Sequence, residues 1–195
     1  MDNEEYKEDI QKLSVEAIYN KYIISGDIWY FRNKYGYNWF EEYDRFKMFI
    51  SNKLGVHYND IAVAGSAKLG FSLNPKKNFR AFNDESDIDI IVISQKYFYL
   101  FWDSYRKDSY AEIRTPYFNK VCFSIFRKYI IFDGFSKTNP EYLKWLKKTQ
   151  GFEKDLQLDF EIENDIHYRI FESWDAAKDY YMSSIAKAKK IIQEK

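Results

Sequence analysis

The chain has 195 residues, 46% of them hydrophobic, enough to bury one core and short for two domains. Lysine plus arginine equals aspartate plus glutamate at 30 each, so no global field draws in nucleic acid, and any polyanion must be held locally. One cysteine, Cys122, excludes an internal disulfide framework and a thiolate zinc site, and its periodic apolar surroundings predict a buried thiol.

Tyr6, Ile10, Leu13 and Ala17 fall at helical spacing and Ile24 keeps the register, which predicts one amphipathic helix from residue 4 to about 24, ended by Ser25-Gly26-Asp27. Phe40, Tyr43, Phe46, Ile50 and Leu54 repeat the pattern, with Gly55 where a C-cap belongs. That helix leads into a short apolar strand, Ile61-Ala62-Val63-Ala64, and then into Gly65-Ser66, Lys68 and a loop carrying Lys76, Lys77 and Arg80. Asp87 to Ile93 reads as a buried strand, rich in β-branched residues. Helices are expected from Gln95 to about Ser109 and from Thr115 to about Phe132. Asn139-Pro140-Glu141 starts another, with a cap, a proline at the first position and an acid in the first turn.

Leu156, Leu158, Phe160 and Ile162 alternate with Gln157, Asp159, Glu161 and Glu163, the pattern of a half-buried strand. Asn164-Asp165 would turn it into a returning strand, Ile166 to Phe171. Ser173 or Asp175 caps a long C-terminal helix with a stripe of Trp174, Ala177, Tyr181, Ile185, Ala188 and Ile192. The expected fold class is α/β (α+β): a small mixed β-sheet wrapped by helices in one domain over 1–195. Residues 1–55 form its N-terminal helices, 56–94 its core, and 95–195 its later helices and strands. No apolar segment follows the acidic opening and no apolar run reaches membrane-spanning length, so a cytoplasmic protein with no membrane partner is expected.

Chemistry concentrates in two stretches. Alternation along a strand puts Asp87 and Asp89 on one face, about 7 Å apart, while Ile88, Ile90 and Val92 point into a core. Two carboxylates so placed repel unless a cation lies between them, and Mg²⁺ suits them, being a hard ion that takes one or two carboxylates and completes its shell with water and phosphate. Gly65 lets the backbone approach a phosphate closely, the Ser66 hydroxyl can donate to its oxygens, and Lys68 adds a positive charge nearby. Taken singly, a Gly-Ser after a strand is an ordinary tight turn and an Asp-x-Asp a solvated strand end. Their order and spacing argue for a joint metal and phosphate site.

Gly65-Ser66 with Gly70, then Ser86-Asp87-Ile88-Asp89-Ile90, resembles the GS…G…(S)DxD signature of the DNA polymerase β-like nucleotidyltransferase superfamily, over about a sixth of the chain. The wording Gly-Ser-Ala-Lys-Leu-Gly-Phe-Ser-Leu is further similar to compact nucleotidyltransferases of prokaryotic defence and toxin–antitoxin operons. The resemblance implies Mg²⁺ (or Mn²⁺) on a catalytic Asp87 and Asp89, an NTP or dNTP gripped at Gly65, Ser66 and Lys68, and transfer of a nucleoside monophosphate with release of pyrophosphate. The acceptor would be a protein, a nucleic-acid 3′ end or a small molecule, and an operon-encoded protein partner is compatible with it. Members of the superfamily usually bring a third carboxylate from a neighbouring strand, for which Asp159 and Glu161 are candidates; the alternative is that these acids form a solvated face.

Aromatics make up 21% of the chain, which a low-GC coding bias explains, and Phe71, Phe79 and Phe82 are the candidates for base stacking because they flank the phosphate site. His167 and Arg169 share one face of the late strand, Arg169 being the better placed to meet phosphate. A catalytically silent nucleotide-binding or partner-binding protein that keeps the same geometry is the alternative function.

Overall fold

A four-stranded mixed sheet divides the helices of the computed structural model, which describes residues 3–113, 115 and 117–194. The elements run α1 (Asn3–Lys12), α2 (Val15–Ile18), α3 (Trp29–Tyr35), α4 (Trp39–Leu54), β1 (Ile61–Ala64), α5 (Gly65–Leu69), β2 (Ile88–Ile93), α6 (Gln95–Tyr110), α7 (Phe118–Phe126), β3 (Tyr129–Ile130), α8 (Pro140–Phe160), β4 (Ile166–Phe171) and α9 (Trp174–Gln193). Strand order is β1-β2-β4-β3, with β2 and β4 parallel and the two outer pairings antiparallel. The expected α+β class is therefore what the chain forms.

Strand alternation gives the sheet two unlike faces. Ile61, Val63, Ile88, Ile90, Val92, Ile130 and Ile170 point one way into a core shared with α3, α4, α6 and α8. Ala64, Ile91 and Phe171 point the other way, against Tyr6 and Ile10 of α1, Ile18 of α2, and Tyr181 and Ile185 of α9. On this second face the small Ala62 and Ala64 and the polar Asp89, His167 and Arg169 interrupt the apolar surface, and a hollow forms there. Lys189 of α9 ties the two outer helices together by donating to the carbonyls of Ile10 and Leu13, both at 2.6 Å.

Four expectations fail for identifiable reasons. The single helix over residues 4 to 24 breaks at Ser14, whose extended backbone and side-chain oxygen, accepting from the Ala17 amide, start α2; a wide π-helical turn, Tyr19–Ile24, follows. The helix expected from Thr115 to Phe132 spans only Phe118–Phe126, because Lys128 turns at φ 61° and Tyr129–Ile130 joins the sheet as an edge; residues 114 and 116 lie outside the described residues. Cys122 is exposed rather than buried, since the inner face of α7 is made by Val121 and Ser124.

The strand expected over Leu156 to Ile162 is the last turn of α8. Leu156 and Phe160, four apart, are buried while Leu158 is 80% exposed, so the period is helical and Glu161 ends the helix in a left-handed conformation. β4 consequently does not return from a hairpin but comes from α8 to lie parallel to β2.

The start of α8 is held by Asn139, which is 1% exposed. Its side-chain oxygen accepts from the Tyr142 amide and the Ser104 hydroxyl, both at 2.9 Å, and its amide donates to Asp108 at 2.8 Å. Asn139→Ala removes the cap and strands a buried hydroxyl and carboxylate. It should cost about 2–3 kcal/mol in urea unfolding, more than the loss of an exposed cap.

Candidate functional site

Antiparallel pairing of β1 with β2 sets Ala64 opposite Asp89. The chain then leaves β1 through Gly65 at φ +63°, and a Cβ built there would lie 2.5 Å from Asp89 Oδ2. Glycine is needed twice over, for the left-handed backbone and for the closeness of the carboxylate. The Gly-Ser bend is the first turn of α5 rather than a free loop, and it meets the Asp-x-Asp segment directly.

Gly65, Ser66, Asp87 and Asp89 line one cavity of about 510 Å³, within the range that holds small ligands. Lys76, Lys77, Arg80, Arg169 and Lys187 border the same space, against the carboxylates of Glu85, Asp87 and Asp89. The basic loop is aimed by its apolar residues: Pro75 and Phe79 are buried, Phe79 lies edge-on to Tyr6, and Lys76, Lys77 and Arg80 are left outward. Tyr6 also borders the cavity, and its fully buried hydroxyl has no hydrogen-bond partner among the described residues.

Asp89 is two-thirds buried, and desolvation pushes its carboxyl above the usual aspartate range, against the pull of Arg169. The Arg169 guanidinium stands 3.9 Å from Asp89 and donates to the Tyr180 hydroxyl, over whose ring it lies at 4.9 Å. Asp87 lies just before the strand, half exposed, 3.5 Å from Nδ1 of His167. β4 places both partners: its register sets His167 beside Asp89 and Arg169 beside Ile91.

Lys68 is not part of this site. It is 5% exposed and donates to the carbonyls of Ser25 and Asp27, and burial pulls its ammonium down to about 8. Its work is to hold α5 against the segment before α3. Phe71 and Phe79 are core residues and the partly buried Phe82 packs on Trp29 and Tyr30; none of the three lines the cavity. Asp159 and Glu161 sit at the end of α8, where Arg45 reaches the Asp159 carbonyl and Lys34 lies 3.9 Å from the Glu161 carboxylate; they border no part of the cavity. Where a third carboxylate was expected, β4 supplies a histidine and an arginine.

Among the described residues no group of three or more His, Cys, Asp or Glu side chains could hold a metal. Two carboxylates at an open cavity still fit Mg²⁺ of the kind that arrives with a phosphate, since that ion takes one or two carboxylates and keeps water and substrate oxygens for the rest. The desolvated Asp89 is the clearest sign of fit, because a cation there would relieve the cost of its charge. Tyr6 was readable only as part of a helix stripe and Tyr180 fell outside the stripe of the last helix, whereas Lys76, Lys77 and Arg80 were readable as a basic loop suited to a polyanion.

Comparison of the chain with models of protein families, with curated proteins and with solved structures finds no match.

Gly55 also has positive φ, at +70°, in the left-handed region, with open space around its Cβ position, so it serves as the reference for backbone strain without a close neighbour. Gly65→Ala should cost about 1 kcal/mol more than Gly55→Ala in urea unfolding, because the Asp89 carboxylate must also rotate away. In an Asp89→Ala background that excess should vanish. The raised pKa of Asp89 sets a second expectation: its carboxyl binds a proton more tightly folded than unfolded, so its stabilising contribution is full below 3.8 and is lost as pH rises through the higher folded value. Asp89→Asn should therefore raise the melting temperature at neutral pH, with the gain shrinking as pH falls toward 3.8, the ordinary aspartate value.

Proposed function

We propose that the chain is a Mg²⁺-dependent nucleotidyltransferase that moves a nucleoside monophosphate from an NTP or dNTP to an acceptor hydroxyl and releases pyrophosphate. The observation that carries this reading is the contact of Gly65 with Asp89 at the floor of a cavity rimmed by Lys76, Lys77 and Arg80. The resemblance to the DNA polymerase β-like superfamily at Gly65-Ser66 and Asp87-Ile88-Asp89 supports it.

Each group has a task that follows from its place. Lys76, Lys77 and Arg80 attract and hold the triphosphate, and the Ser66 hydroxyl donates to a phosphate oxygen beside the bend. Asp87 and Asp89 would hold Mg²⁺, which when bound offsets the negative charge that builds on the transferring and leaving phosphates. Arg169, anchored by Tyr180, fixes the carboxylate of Asp89 from the other side. Phosphoryl transfer needs positioning and electrostatics more than covalent help, which suits a site built from charged groups around a close backbone bend.

A second reading, a nucleotide binder without turnover, is favoured by one observation: β4 brings His167 and Arg169 beside Asp89 in place of another acid. The two part in one experiment. Each radiolabelled NTP and dNTP is incubated with Mg²⁺ or Mn²⁺ and the wild type or Asp87→Ala/Asp89→Ala. The transferase gives pyrophosphate and labelled product that fall by about a hundredfold or more in the double variant. Equal release from both proteins overturns it. A thermal stabilisation of about 2.7 kcal/mol at a hundred times the dissociation constant, with no product, selects the binder.

A further inference from the structure

A second cavity, of about 590 Å³, opens on the other side of Asp89, between β3, β4, α7 and α8. Asp89, Arg169 and Tyr180 line both cavities, so the two spaces meet at one carboxylate. We propose that this second cavity is the acceptor site, and that it takes a small cationic alcohol rather than a macromolecule or an anion. The proposal rests on the nucleotidyltransferase reading and names the substrate class for it.

Shape and charge both point to this occupant. One wall is aromatic: Phe132 and Tyr142, both partly exposed, lie parallel at 5.5 Å, and the buried Trp145 backs Phe132 at 5.4 Å. Aromatic walls suit a compact ligand with an apolar or cationic face. Lys120 is already paired with Asp133 at 2.8 Å, and Arg169 is engaged by Asp89 and Tyr180, so neither cation is free for an anionic ligand. Glu153, on the lining of the same cavity, makes no ion pair or hydrogen bond among the described residues and is a carboxylate waiting for a positive group. A nucleic-acid end would bring phosphates to a wall that lacks unpaired cations and carries this unpaired acid.

The step that joins the cavities balances without any further reagent. The acceptor's hydroxyl oxygen bonds to the α-phosphorus, and the bond from that phosphorus to the oxygen it shares with the β-phosphate breaks. Pyrophosphate leaves with the electron pair. The hydroxyl proton goes to water of the solvent, which the open cavity admits.

The test is binding to the full chain without nucleotide, so that it reads the second cavity whether or not the donor reading holds. Protein labelled with fluorotryptophan is titrated with glucosamine, glucose, gluconate and hexaadenylate, and the fluorine resonance of Trp145 is followed after assignment with Trp145→Phe. Trp145 is the one tryptophan bordering this space. Glucosamine should shift that resonance saturably and bind more tightly than the other three, and Glu153→Gln should weaken it about fivefold. Glu153 is exposed, so this variant is expected to fold, which its unchanged fluorine spectrum in the absence of ligand would show. Preference for gluconate or hexaadenylate, no saturable shift with glucosamine, or equal binding by Glu153→Gln would each overturn the proposal. Failure of pyrophosphate release with NTP alone bears on the donor site and leaves this titration untouched.

Discussion

The contact between Gly65 and the Asp89 carboxylate organises everything around the cavity. It exists because β1 and β2 pair in one register, Ala64 opposite Asp89, and because the residue after Ala64 has no side chain. A slip of that register by one residue would turn Asp89 into the apolar face occupied by Ile88 and Ile90, where a charge has no partner. The burial of the isoleucines therefore enforces the position of the acid. Packing on one face of β2 fixes chemistry on the other.

This division of labour extends across the sheet. One face is apolar throughout and carries the larger helical layer, while the opposite face loses bulk at Ala62 and Ala64 and gains charge at Asp89 and Arg169. Helices α1 and α9 cannot close over the charged end as they do over Ile91 and Phe171, and the space left is the cavity. The cost of holding Asp89 partly out of water is visible in its raised pKa. Such tension between stability and a poised carboxylate is common at functional sites.

How much of this was legible in the sequence depended on whether the signal was local. The two central strands, the Asn139 and Ser173 caps, the Gly55 terminus and the long last helix were readable because each depends on residues within a few positions. The end of α8 was misread because Leu156, Phe160 and Ile162 satisfy a period of two as well as a helix with its capping residue, and only the exposure of Leu158 separates them. Edge strand β3 is two residues long and carries no period at all. Gly65, Ser66, Asp87 and Asp89 announced themselves by spacing, whereas Lys68 did not, since its sequence neighbours say nothing of the carbonyls of Ser25 and Asp27 that take its ammonium. Tyr6 was legible as a core residue, but its unpaired hydroxyl depends on elements far apart in the chain.

The clasp of Lys189 on the end of α1 carries a consequence for how the protein comes into being. It joins residues 179 positions apart, and it locks the helix that carries Tyr6 against the helix that carries Tyr180 and Tyr181. During synthesis the hairpin of β1 and β2 can pair early, but β4 and then α9 must emerge before the cavity has walls. Contacts of such long range are slow to form, because loop closure must precede any gain from them. The nascent chain therefore carries Asp87 and Asp89 without a cavity around them until α9 has emerged, so the hollow forms only after the residues that close it have been made.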